Sequence, residues 1–262
     1  IVQDCLILKN EKYEESEFQD RNDFKYVYSD TLKIVSSRMF LECPKLKMVV
    51  LPNTTSMDEY EFNLFGGGGN LFNCAQLSKF HAPKLQIVSC GCFEDCKILK
   101  SVFLLNAKKI CSSAFDNCVQ LKRAVFPNLT ELDSYGFARC KLLEEFDAPQ
   151  LAGSQQSPFF GCEKLKFVNV PEDVRFLCSK SCKVCFVCFG EVKETLERGK
   201  QLVKRPMVKL MGKTFNSWMH LDLKVEKLNR VKNSRKQSVA RLLRMLWLQL
   251  DLLELVENEG DE

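Results

Sequence analysis

Large apolar residues return to the same places every 22 residues over most of the chain. Cys74, Cys96, Cys118, Cys140 and Cys162 mark the beat, and Cys43 stands 31 residues before Cys74, one period plus nine. Take the residue three before each of these cysteines as position 0: it is Phe40, Leu71, Phe93, Phe115, Phe137 or Phe159, and position 6 is Leu in every copy. Position 9 holds Val49, Phe80, Val102, Ala124, Phe146 and Val168, and position 11 holds Leu51, Ala82, Leu104, Phe126, Ala148 and Val170. Position 12 is Pro52, Pro83, Leu105, Pro127, Pro149 and Pro171, with further apolar residues at positions 14 and 17. A copy without cysteine runs upstream through Phe18, Phe24, Val27, Leu32 and Val35, and Cys182, Cys185 and Cys188 take the 0, 3 and 6 spacings of a decayed last one. Seven copies and a partial one therefore span roughly residues 18 to 190. The nine extra residues follow Phe62 and include Gly66 to Gly69, which reads as a loop bulging from one coil.

A unit of this length cannot bury its apolar side alone, but stacked copies superpose each position into a continuous ladder, so the architecture is a solenoid. Positions 9 and 11 alternate inward as in a strand, and proline at 12 ends it because proline has no N–H to donate. The Phe, Cys and Leu at 0, 3 and 6 predict a short helical or 3₁₀ turn, making each coil part strand and part tight helix. If 9 and 11 face the core, 8 and 10 face out and line up between coils as one strip. Val50, Lys79, His81, Phe103, Arg123, Val125, Glu145, Asp147 and Phe167 are its candidate partner-binding residues, with Phe103 and Val125 as an apolar centre beside a charged border.

The pattern F-x-x-C-x-x-L-x-x-V-x-x-P-x-L-x-x-I resembles the BspA-type leucine-rich repeat. That resemblance implies a curved leucine-rich-repeat solenoid used for protein binding, found in bacterial surface adhesins and in expanded sets in protists, and it implies no catalysis. The expected fold class is an α/β solenoid over residues 1–190, followed by a basic helical C-terminal extension over 191–262.

Composition changes the picture at a few points. With 45% hydrophobic and 27% charged residues the chain is globular rather than disordered, and no apolar run is long enough for a membrane helix. It begins at Ile1 with no basic, apolar leader, which reads as a fragment or as a chain whose targeting signal has gone. The two histidines, His81 and His220, leave few parts for acid–base chemistry, so neither an enzyme nor a cofactor is expected. Fourteen cysteines suit a disulfide framework in a secreted chain, yet six of them occupy one ladder position, where a thiol acts as a small hydrophobe and favours a reducing, cytoplasmic setting. Cys178, Cys182, Cys185 and Cys188 are enough in number for tetrahedral zinc, although the last three continue the repeat spacing and no metal is expected. Asn53 and Asn128 head glycosylation sequons at position 13, where a turn after proline already favours Asn.

Charge separates the two regions. Residues 1–189 balance 23 basic against 23 acidic side chains; residues 198–244 carry 14 against 2, and 245–262 carry 6 acidic and no basic ones. Val239, Leu242, Leu246 and Leu253 fall on a helical stripe in the tail, expected either to cap the solenoid or to bind a partner, including a second copy. The expected function is a non-enzymatic scaffold or adaptor that binds another protein through the strand face. A secreted or surface adhesin, and a nucleic-acid or ribonucleoprotein component acting through residues 198–244, are the alternatives.

Overall fold

The computed structural model describes residues 1, 4–58, 74–179 and 182. The chain divides into two compact units, Leu6–Lys200 and a second made of Ile1–Cys5 with Gln201–Glu262; the described residues belong to the first, apart from 1, 4 and 5. The glycine loop, Cys185, Cys188, the basic segment 198–244 and the expected tail helix with Val239, Leu242, Leu246 and Leu253 lie outside the described residues. Among the described residues no helix is long and apolar enough to cross a membrane.

Each coil supplies two short strands. The first occupies positions 8 to 10: β2 (Tyr26–Tyr28), β4 (Met48–Val50), β6 (Lys79–His81), β8 (Ser101–Phe103), β10 (Arg123–Val125), β12 (Glu145–Asp147) and β14 (Phe167–Asn169). The second, at positions 16 and 17, runs through β3 (Ile34–Val35), β5 (Ser56–Met57), β7 (Ile87–Val88), β9 (Lys109–Ile110), β11 (Glu131–Leu132) and β13 (Gly153–Ser154). A further strand, β1 (Cys5–Ile7), heads the order β1-β2-β4-β6, and β8-β10-β12-β14 continues the same face. The described ladders between coils are parallel and keep the period, as in Arg123↔Glu145 and Lys109↔Glu131, and the register Met48↔Lys79 carries it across the insertion.

The third side of the coil departs from expectation. Instead of a helical turn at the Phe and Cys positions, the described residues form consecutive tight turns with positive φ two residues before and two after the position-0 residue. Asp20, Glu42, Asp95, Asn117, Arg139 and Gly161 share the later position, and Ser16, Arg38, Gly91, Ser113, Tyr135 and Ser157 the earlier one. The hydrogen bonding explains why. The N–H groups of Cys92, Glu94 and Cys96 close turns onto Ser89, Gly91 and Phe93 of their own coil, while those between them, on Gly91, Phe93 and Asp95, donate to Ser112, Ala114 and Asp116 of the next. A helix would satisfy all of these donors internally and leave none to bind the neighbouring coil. The α/β expectation is therefore corrected: the described coils consist of strand and turn.

The ladder residues fill the interior. Phe93 stacks on Phe115 at 5.1 Å and Phe115 on Phe137 at 5.0 Å, with interplanar angles of 6° and 8°. Such offset ring pairs add roughly 0.5–1.5 kcal/mol beyond burial. Phe80 and Phe146 close this stack edge-on, against Phe93 at 4.7 Å and Phe159 at 4.9 Å. The cysteines have a bonding role as well as a packing one. The thiols of Cys118, Cys140 and Cys162 donate to the carbonyls of Phe93, Phe115 and Phe137, one coil back, at 3.1, 3.1 and 3.0 Å. Cys43 and Cys74 do the same to Phe18 and Phe40. Burial pushes the Cys96 thiol up to about 12 and raises those of Cys118 and Cys140 as well, so these groups remain protonated at neutral pH.

Asparagine forms a parallel device on the far side of the first strand. The side-chain amides of Asn53, Asn106 and Asn128 donate to the backbone carbonyls of Asp30, Pro83 and Leu105, each at 2.7 Å and each one coil back. Asparagine at position 13 thus satisfies a turn carbonyl of its neighbour, which accounts for the Asn of both sequons structurally.

Candidate functional site

The outward row of the first strands is the surface on which coils differ most. Its side chains alternate with the buried Val49, Phe80, Ala124, Phe146 and Val168, so their direction follows from the pleat. At position 8, Lys79, Arg123, Glu145 and Phe167 are partly exposed, whereas Met48 is buried. Arg123 Nε stands 3.3 Å from Glu145 Oε2 across the β10–β12 register, a partly solvated pair of modest strength. Position 10 is more enclosed than an outward row was expected to be. Val50 is 4%, His81 6% and Val125 6% exposed, while Asp147 is half-buried. In-register neighbours about 4.8 Å away on adjacent coils flank each of these side chains. Asn169 donates to Asp147 Oδ1 at 2.7 Å; burial nonetheless pushes the Asp147 carboxyl above its ordinary range. The backbone of Phe103 pairs with Val125 in this row; of the expected Phe103–Val125 centre, Val125 is enclosed and the Phe103 side chain lies outside the described residues.

A second row, one residue before the strand, was overlooked in the sequence although its signal is periodic. Lys25, Lys47, Lys100, Lys122 and Lys166 all take position 7, with Ser78 and Glu144 in the other two copies. Lys100, Lys122 and Lys166 are exposed. Their backbones are tied from coil to coil, Lys47 N to Lys25 O at 2.8 Å, Lys122 N to Lys100 O at 2.9 Å and Glu144 N to Lys122 O at 2.9 Å. The strand face is thus bordered by a row of lysines broken at Ser78 and Glu144, with Glu145 and Asp147 of the strand face beside the second break. Such a border attracts acidic protein surface and discriminates by charge order rather than by area.

The remaining buried charge lies elsewhere. Asp116, on the tight-turn side, is 5% exposed; Arg139 Nη2 approaches its Oδ2 at 2.5 Å, and no hydrogen bond reaches its Oδ1 among the described residues. Burial outweighs the arginine and raises its carboxyl to about 6. Its neighbour Asn117 donates to Asp95 at 2.6 Å, and both contacts join adjacent coils. Of the candidate zinc ligands, Cys178 is half-buried and Cys182 buried; no cluster of three metal-binding side chains occurs among the described residues.

The family model described as BspA type Leucine rich repeat region matches residues 8–65 and 68–187, in 6 copies. No curated protein matches the chain. Among solved structures, a leucine rich cell surface protein of Faecalibacterium prausnitzii is similar at 18% identity and a TM-score of 0.41, covering 56% of this chain and 32% of its own. A leucine-rich repeat protein of Bacteroides ovatus is similar at 17% identity and a TM-score of 0.39, covering 70% of this chain and 64% of its own. The T. pallidum leucine rich repeat protein shows 16% identity and a TM-score of 0.35, with 74% and 89% covered. The chain thus spans about a third of the first of these proteins and less than two thirds of the second.

Proposed function

The chain belongs to the BspA-type leucine-rich-repeat family, and on that premise we propose that it is a non-enzymatic scaffold or adaptor, binding another protein through the outward row of the first strands and the lysine border beside it. Family members are generally interaction or surface proteins. The observation that carries the finer reading is the contrast between rows. Inward positions 9 and 11 stay apolar on every coil, whereas position 8 reads Lys79, Ser101, Arg123, Glu145 and Phe167 on consecutive coils, the last four in register with one another. Fixed spacing with varied chemistry suits recognition of one partner's sequence of charges and apolar groups. The partner's complementary surface carries acidic residues opposite Lys79, Lys100 and Lys122 and a basic one opposite Glu145 and Asp147.

Purification of the full chain with its associated proteins identifies that partner, and titration of the purified partner then measures affinity. Lys79→Glu with Phe167→Ser, at partly exposed positions, should weaken binding at least tenfold while circular dichroism and melting stay close to the wild type. Unchanged affinity in a folded double variant removes the strand face from the interaction. We place the protein in the cytoplasm. The support is chemical: the twelve described cysteines carry unbridged thiols, as suits a reducing compartment.

A further inference from the structure

The ladder cysteines stand at equivalent positions, one above another, and Cys43, Cys74, Cys118, Cys140 and Cys162 each engage a carbonyl of the coil behind. Cys90 and Cys111 break that rule: they are 21 residues apart, one short of the period, so they meet diagonally between neighbouring coils. Their backbones are clamped on both sides. β7 and β9 pair Ile87 with Lys109 and Val88 with Ile110, Cys111 N–H then donates to Val88 O at 2.9 Å, and Gly91 N–H donates to Ser112 O at 3.0 Å. Between those last two hydrogen bonds the Cys90 and Cys111 side chains are themselves hydrogen-bonded, sulfur to sulfur. Cys111 is 5% exposed, whereas Cys90 is half-open to solvent. The Cys43 and Cys74 sulfurs also touch, but both residues are fully buried.

We infer that Cys90 and Cys111 form a dithiol modification site, oxidised by a low-molecular-weight disulfide to a bond that staples one coil to the next. Adjacent strands about 4.8 Å apart put diagonal neighbours within the roughly 4.4–6.8 Å Cα separation that a disulfide spans. In the first step Cys90, having released its proton to solvent, attacks one sulfur of the reagent disulfide; that S–S bond breaks and one small thiolate leaves. In the second, Cys111 releases its proton, attacks the Cys90 sulfur and displaces the other small thiolate. Two electrons pass from the protein dithiol to the reagent, which is reduced to two thiols. Because a solenoid's stability is a sum of coil-to-coil interfaces, a covalent bond across one interface suppresses opening there and leaves distant coils unchanged.

The test uses the full chain, titrated with oxidised glutathione, quenched in acid, alkylated and mapped by mass spectrometry. A Cys90–Cys111 linked peptide is expected in the wild type and absent from Cys90→Ser and Cys111→Ser, with Cys96, Cys118 and Cys140 alkylated only after unfolding. Hydrogen exchange at the Gly91 and Cys111 amides should slow by about tenfold on oxidation of the wild type and not in Cys90→Ser treated alike. Cys90→Ser sits at the half-open position and keeps the test usable where Cys111→Ser fails to fold. A glutathione adduct that persists on Cys90, a bond from Cys90 to any other cysteine, or a folded chain inert to glutathione that oxidises the unfolded one would each overturn the assignment.

Discussion

Positions 9 and 11 trade volume within each coil. Phe80 is followed by Ala82 and Phe146 by Ala148; Ala124 is followed by Phe126; and Val102 and Val168 are followed by the mid-sized Leu104 and Val170. All ten are essentially buried, so each coil fills one layer of the core with a pair of side chains of nearly constant total volume. This reasoning predicts a non-additive exchange at the coil of Ala124 and Phe126. Phe126→Ala removes a ring that lies 5.8 Å from Phe137 and 6.2 Å from both Phe115 and Phe146, and should cost about 3–5 kcal/mol through lost burial and the cavity left behind. Ala124→Phe alone forces a ring into a filled layer and should cost about 1–3 kcal/mol. The double variant restores the layer's volume and recreates the Phe–Ala order already found at Phe146 and Ala148. It should be at least ~2 kcal/mol more stable than the sum of the single effects and more stable than Phe126→Ala by itself. Urea unfolding followed by circular dichroism measures all three variants, with equal m-values as the condition for comparing them. A double variant whose destabilisation equals the sum of the singles to within ~0.5 kcal/mol would refute layer compensation and make the alternation an accident of composition.

Three further outcomes are expected. Cys118→Ala should cost about 1–2 kcal/mol in the same assay, toward the low end of core truncations, because the Phe93 carbonyl keeps its bond from Cys96 N at 3.1 Å. Asp116 holds its proton more tightly folded than unfolded, so its contribution is fully present below about pH 4 and is lost as the pH rises through its folded value of about 6. Relative to Asp116→Asn, the wild type should therefore lose stability on the order of 2 kcal/mol between pH 4 and pH 7; urea midpoints that run parallel across this range would exclude the shift. Arg123→Ala should change stability by less than ~1 kcal/mol, since its pair with Glu145 is partly solvated, so thermal melting that stays within a few degrees assigns any accompanying loss of partner binding to recognition.

The interior of this fold is legible in the sequence because stacking demands the same chemistry at the same place in every coil. Phe at position 0, Cys at 3 and Leu at 6 declare the period and the buried ladder without any coordinates. The tight-turn side was read as helical because 0, 3, 6 is also a helical spacing. What distinguishes the two is backbone sign, and the left-handed positions are occupied by Ser, Arg, Tyr, Asp, Glu and Asn as well as by Gly91 and Gly161, so no residue type announces them. The second strand is two residues long, too short for an alternation to register. The asparagines at position 13 are visible in the sequence but interpretable there only as turn formers, since the carbonyl each satisfies belongs to a residue 23 positions earlier.

The departures from that period are where the proposed binding and redox roles fall, for a physical reason. A residue repeated on every coil meets its own kind above and below and is specified by stacking; a residue that differs is released from that constraint and available for something else. Glu144 replaces a lysine in the position-7 row and stands beside Glu145, which sets a negative step in a largely basic border. Cys90 and Cys111, set one residue off the repeat, meet each other where the ladder thiols meet carbonyls. Arg21 occupies the place of the ladder cysteine in the Phe18 copy and lies over the rings of Phe18 and Phe24, at 5.6 and 5.5 Å, partly exposed and paired with Asp23, so the slot that holds a thiol where it is buried holds a cation where water reaches it.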